Sequence, residues 1–198
     1  MRPTVAGFAA ACAVLVLSSA GSAAAFELTS SDLKPNATID EKHVYNGFGC
    51  TGDNLSPALS WKNPPKGTKS YAVLVHDPDA PTGGAGWWHW VVYNLPAETA
   101  SLPQGAGAVD GKNLPEGAAQ QPTDFGVPGW GGPCPPAGDK PHRYVFTVYA
   151  LKVDKLEVPI GATASLVGFM VNANALGKAT LTARYGRKDE AAAASKKP

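Results

Sequence analysis

The 198-residue chain is long enough for one domain with a proper core, and its 22 glycines and 18 prolines favour short strands and turns over long helices. Seventeen basic and 16 acidic residues, with no basic stripe, make nucleic acid a poor partner.

The first 25 residues have the layout of a cleaved signal peptide. Arg2 is the positive end, residues 5–20 are apolar and small, and Ala23-Ala24-Ala25 offers a cleavage site before Phe26. The apolar run is short for a spanning helix, and an uncleaved anchor is the competing reading. Export would place the mature chain in the periplasm or outside the cell. Cleavage removes Cys12 and leaves Cys50 and Cys134. An even pair in an oxidising compartment reads as one disulfide; two free thiols are the alternative, and neither cysteine has a second one at zinc-ligand spacing.

Residues 26–29 read as an edge strand and residues 38–45 as a second short strand. Residues 46–54 are a loop by composition. Leu55, Leu59 and Trp61 are candidate core contacts in the next segment. Residues 71–75 form a short apolar run with β-branched Val73 and Val75 that ends in His76-Asp77-Pro78-Asp79-Ala80-Pro81. A glycine loop then leads to Trp87-Trp88-His89-Trp90-Val91-Val92. Antiparallel pairing of these two runs would bring the carboxylates close to the histidine.

Residues 101–138 lack any strand or helix period, and so long a loop carries function or is mobile. Its last part, FGVPGWGGPCPP, suggests a rigid fold-over pinned by Cys134. His142-Arg143 leads into the clearest strand, residues 144–151. Thr163 is an N-cap for a helix whose apolar stripe is Leu166, Phe169, Met170, Ala173 and Leu176, closed by Gly177. Residues 179–185 alternate as a final strand, and residues 188–198 read as a disordered tail. The architecture implied is mostly β, an antiparallel sandwich carrying peripheral helix.

The chemistry-bearing candidates are Asp77, Asp79, His89, His142 and Tyr144. Singly, each has an ordinary reading: Asp-Pro-Asp is a common turn composition, and a histidine among tryptophans is more often a core residue. Together they sit at strand–loop junctions beside Gly/Pro-rich loops, where sites tend to be built. Carboxylates beside histidines fix tautomers, and a tyrosine hydroxyl adds a donor, which would make a small anion pocket. Trp87, Trp88, Trp90 and Trp130 are candidate walls. A two-histidine, one-carboxylate metal site is a minor alternative. There is no G-x-S-x-G elbow and no H-E-x-x-H helix, which weakens hydrolytic readings.

The motifs Asp77-Pro78-Asp79-Ala80-Pro81, Trp87-Trp88-His89-Trp90, Gly131-Gly132-Pro133-Cys134-Pro135-Pro136 and Pro141-His142-Arg143-Tyr144, in that order, resemble the phosphatidylethanolamine-binding protein family. More closely, they resemble its bacterial Raf-kinase-inhibitor-like branch. The likeness runs over residues 26–187. It implies a Greek-key antiparallel β-sandwich with one C-terminal helix and peripheral short helices. It also implies a pocket built from Asp79, His89 and His142, with Asp77, Pro133 and Tyr144 close by. The ligand it implies is a small anion of the phosphate or phospho-headgroup type. It implies binding rather than an enzyme activity, no cofactor, a cis Ala80–Pro81 bond and a homodimer. An interaction module or protease inhibitor is the alternative role, and a hydrolase using the same pocket the third.

Overall fold

A computed structural model describes residues 24–188. The expected signal peptide lies outside the described residues except for Ala24 and Ala25, and the expected tail lies outside them except for Lys188.

The centre is a five-stranded antiparallel sheet. Its strands are β5 (Ser70–Asp77), β6 (Trp87–Pro96), β8 (Ala119–Gln120), β9 (His142–Leu151) and β10 (Ala175–Tyr185), in the order β10-β9-β5-β6-β8. Residues 70–75 are all buried, as expected of an apolar strand covered on both faces. A three-stranded sheet of β1 (Glu27–Thr29), β4 (Leu59–Lys62) and β7 (Ser101–Leu102) packs on one face. Leu28, Leu59, Trp61 and Leu102 from it share a core with Tyr71, Val73, Val75, Phe146 and Val148. The other face, with Leu74, Val91 and Tyr149, is covered by helix α1 (Ala164–Asn174). The fold is the expected antiparallel β protein with one helix. A small hairpin of β2 (Asn46–Gly47) and β3 (Cys50–Thr51) hangs beside it, and its Cys50 is bonded to Cys134.

Several local expectations differ. Residues 38–45 are not a strand. Asp40 accepts from the Lys42 N–H at 3.1 Å and caps a 3-10 turn over Glu41–His43, so a short acidic side chain has won the backbone from a ladder. Residues 46–54 contain the β2–β3 hairpin rather than an open loop. Leu59 and Trp61 are buried, but Leu55 is exposed.

Thr163 does cap α1, accepting from the Leu166 N–H at 3.1 Å. The buried face, however, is Ala164, Val167, Gly168 and Val171, while Leu166 and Phe169 are exposed. The small side chains let the helix lie close on the sheet, and the ring of Trp88 sits against Gly168. Bulk alone pointed to the wrong stripe. Gly177 is no cap, because β10 starts at Ala175 directly after the helix. It lies at an irregularity of the strand where a Cβ would come within 2.8 Å of Pro65.

Ala80–Pro81 is trans, contrary to the expected cis bond. The Thr82 N–H reaches back to the Ala80 carbonyl at 2.7 Å, a three-residue turn centred on Pro81, whose ring presets the required φ.

Candidate functional site

The C-terminal end of β5 lies between the N-terminal ends of β6 and β9, because both neighbours run antiparallel to it. That topology gathers Asp77, Trp87, His89, His142 and Tyr144 around one cavity of about 220 Å³. Asp77 and His142 are both buried, and Asp77 Oδ2 takes the His142 Nδ1 hydrogen bond at 2.7 Å. The other Asp77 oxygen accepts the Asp79 N–H at 2.8 Å. With Nδ1–H directed at Asp77, the Nε2 of His142 is the outer edge of the ring, with the Asp139 carboxylate 3.4 Å away.

His89 is also held through Nδ1, by a backbone carbonyl rather than a carboxylate. Its Nδ1 lies 2.6 Å from the Gly131 carbonyl, which only accepts, so Nδ1 carries the hydrogen and Nε2 presents a lone pair. Burial pushes its pKa down to about 4, against the pull of the Gly131 hydrogen bond and of Asp77, so the ring is neutral at ordinary pH. A bulge sets this residue: Val75 pairs with Trp90 and His76 with Trp88, leaving His89 as the extra residue. Tyr144 is fully buried, and its hydroxyl has no partner among the described residues. Burial, then the charge of Asp77, raises its pKa well above the ordinary value, so it stays a donor.

The rest of the cavity is apolar, with Phe48, Trp87, Phe125, Pro135 and Pro136 as its walls and Ala80, Pro81 and Thr82 completing the lining. Phe125 packs on Tyr45 with ring centres 4.4 Å apart and meets Trp87 edge-on at 5.6 Å. Its ring covers Gly131, where a Cβ would find no room. The Cys50–Cys134 bond ties the hairpin bearing Phe48 to the segment bearing Pro135 and Pro136.

Two expected pocket residues lie elsewhere. Asp79 turns outward to Arg143, taking its Nε at 2.9 Å, its Nη2 at 2.7 Å and its backbone N–H at 2.9 Å. These bonds, led by the side-chain one, hold its carboxyl down to about 2. It lines an outer charged basin with Asp139, Lys140, Arg143 and Arg184, which meets the cavity at His142. Pro133 is buried behind the wall, and its carbonyl accepts the Tyr45 N–H. Of the four tryptophans, Trp87 alone lines the cavity. Trp88 faces α1 and donates to Ser165, Trp90 donates to Gln120, and Trp130 donates to the His43 carbonyl from the core.

Phe48 and Phe125 were not anticipated as walls. A phenylalanine between Gly47 and Gly49 was the available signal, and the structure holds it at φ 52 at the hairpin tip. Among the described residues, no three His, Cys, Asp or Glu side chains are grouped to hold a metal ion.

The sequence profile described as "Phosphatidylethanolamine-binding protein" matches residues 29–186. The chain belongs to that family. It is 53% identical over 163 residues to the Escherichia coli protein YbcL, covering 82% of this chain and 88% of that one. It is 48% identical over 159 residues to E. coli YbhB, covering 80% of this chain and 99% of that protein. The crystal structure of E. coli YbcL superposes with a TM-score of 0.81 at 52% identity, covering 83% of this chain and 100% of that one. A Mycobacterium tuberculosis protein named as a lipoprotein, LppC, is 38% identical over 138 residues, covering 70% of this chain and 63% of its own length.

Proposed function

We propose that the protein binds a small anionic group of the phosphate or phospho-headgroup type, outside the cytoplasm, and does not turn it over. The observation that carries this is the buried hydroxyl of Tyr144, without a partner among the described residues, on a side chain that lines the same cavity as His142. An unmet buried donor costs about 1–3 kcal/mol, which a ligand oxygen would return. His142, held by Asp77, supplies the second donor when Nε2 is protonated. His89 supplies an acceptor for a hydroxyl or ammonium on the ligand.

The family name supports a phospho-headgroup. The disulfide and the lipoprotein-named relative support export. Binding is favoured over hydrolysis because the cavity hydroxyls, Thr82 and Tyr144, hydrogen-bond neither histidine. The Thr82 hydroxyl is turned instead to the Ala80 and Gly86 carbonyls.

The test is a thermal shift of the purified protein with phosphate, phosphoethanolamine and a short-chain phospholipid, beside His142→Ala. Ligand at about a hundredfold its dissociation constant should stabilise by about 2.7 kcal/mol, a rise of about 5–10 °C that the mutant lacks. No shift with any probe would move weight to a second reading, protein contact. That reading is favoured by exposed Val109 and Val127 in the long loop and by Phe48 at the rim. Loop replacement with loss of partner capture would support it.

A further inference from the structure

The imidazole of His142 has a carboxylate at each nitrogen. Asp77 Oδ2 lies 2.7 Å from Nδ1, and Asp139 Oδ2 lies 3.4 Å from Nε2. The first is a directed hydrogen bond between buried groups. The second is a looser approach from a side chain that is 42% exposed. A ligand oxygen bonded to Nε2 at about 2.8 Å therefore comes within a few ångströms of Asp139.

The cavity has little positive charge to offset this. Among the described residues, no lysine or arginine lines it. Arg143 in the adjoining basin is already gripped by Asp79. The donor count is also small. Tyr144 offers one hydrogen, and His142 a second when Nε2 is protonated, its Nδ1–H being taken by Asp77, while neutral His89 accepts. Two donors match the two non-bridging oxygens of a phosphodiester. A phosphomonoester has three such oxygens and close to two negative charges at neutral pH. The apolar walls suit esterified arms on either side of the phosphorus.

We infer that Asp139 is a specificity-determining residue, and that it makes the pocket select singly charged phosphodiester groups over doubly charged phosphomonoesters and free phosphate. This rests on the phospho-group reading above. Like charges at this distance, partly screened by solvent, discriminate by about tenfold per unit of ligand charge.

The experiment is titration calorimetry at pH 7.5 with glycerophosphoethanolamine, a diester, and phosphoethanolamine, a monoester. Both carry the same ammonium. Wild type should bind the diester at least about tenfold more tightly. Asp139→Asn should bring the two affinities within about threefold, mainly by strengthening the monoester, and Asp139→Glu should restore the preference. Asp139 contributes only its backbone N–H to the local turn, donated to the Pro136 carbonyl, so these variants keep the fold. Binding of both probes with a ratio unmoved by Asp139→Asn, or a wild-type preference for the monoester, overturns the role of Asp139 and leaves the phospho-group reading standing. Failure of both probes to bind wild type and variant alike overturns both.

Discussion

Asp77 and His142 are 65 residues apart in sequence, yet Oδ2 and Nδ1 lie 2.7 Å apart in the interior. β5 and β9 are neighbours in the sheet, and each of these residues stands at the strand end facing the cavity. The bond fixes which ring edge of His142 faces outward. Replacing Asp77 by Ala should destabilise the fold by about 2–3 kcal/mol, since a buried donor loses a charged acceptor. Asp77→Asn keeps an acceptor and should cost less. Urea unfolding of the two variants checks this, and equal midpoints for Ala and wild type would remove the pair from the account.

The Tyr144 hydroxyl makes the opposite prediction. It is buried and has no partner among the described residues, so Tyr144→Phe should leave stability unchanged or raise it by about 1 kcal/mol. The same change should weaken phospho-group binding by about five- to tenfold, for the loss of one hydrogen bond. A purely structural hydroxyl would show a stability loss instead, so the melting curve and the titration must be read on the same variant.

His89 predicts a pH dependence of stability. Its pKa falls from 6.5 to about 4 on folding, mainly through burial. The unfolded chain therefore takes up the proton first. Stability is fully present above about pH 6.5 and is lost as pH falls towards 4, by up to about 3 kcal/mol. Asp79, held down to about 2 from 3.8, adds a loss only at lower pH, between those two values. Unfolding midpoints of wild type and His89→Gln between pH 7 and pH 4.5 should diverge, with the shallower slope in the mutant. Parallel curves would mean that His89 charges in the folded state.

The disulfide closes a loop between residues separated by 84 positions. In the chain-entropy model that contributes about 4–5 kcal/mol, or about 10–15 °C in melting temperature for a domain of this size. Cys50→Ser with Cys134→Ser should show that loss. It should also weaken ligand binding, because the hairpin bearing Phe48 is no longer tied to the Pro135–Pro136 wall. Intact affinity in the double mutant would show that the wall holds without the bond.

Helix α1 offers a test of which face matters. Phe169, 72% exposed, should tolerate Ser within about 0.5 kcal/mol. Val171→Ala, on the buried face, should cost about 1–3 kcal/mol. Denaturant titration of both variants decides it, and the reverse order would contradict the packing described here.

Local pattern determined a good deal of this protein. The apolar run at 71–75 and the aromatic strand into Leu151 are legible as continuous runs, buried on both faces, and the stretch 179–185 as a strand whose burial has a period of two. The polar set Asp77, His89, His142 and Tyr144 was legible from its motifs, and the cysteine pair from arithmetic. The tertiary structure decided what depends on neighbours distant in the chain. It turned Asp79 away, because Arg143 on the adjoining strand offers a bidentate partner that the cavity lacks. It sent Trp88 and Trp90 out of the site, on a strand where a bulge at His89 resets which side chains share a face, and it turned Trp130 into the core, towards the His43 carbonyl. It buried Val167 and Val171 rather than Leu166 and Phe169, because a sheet crowded by Trp88 and Tyr149 admits only small side chains. Periodicity reports which residues share a face; close packing against a particular surface selects the face that goes inside.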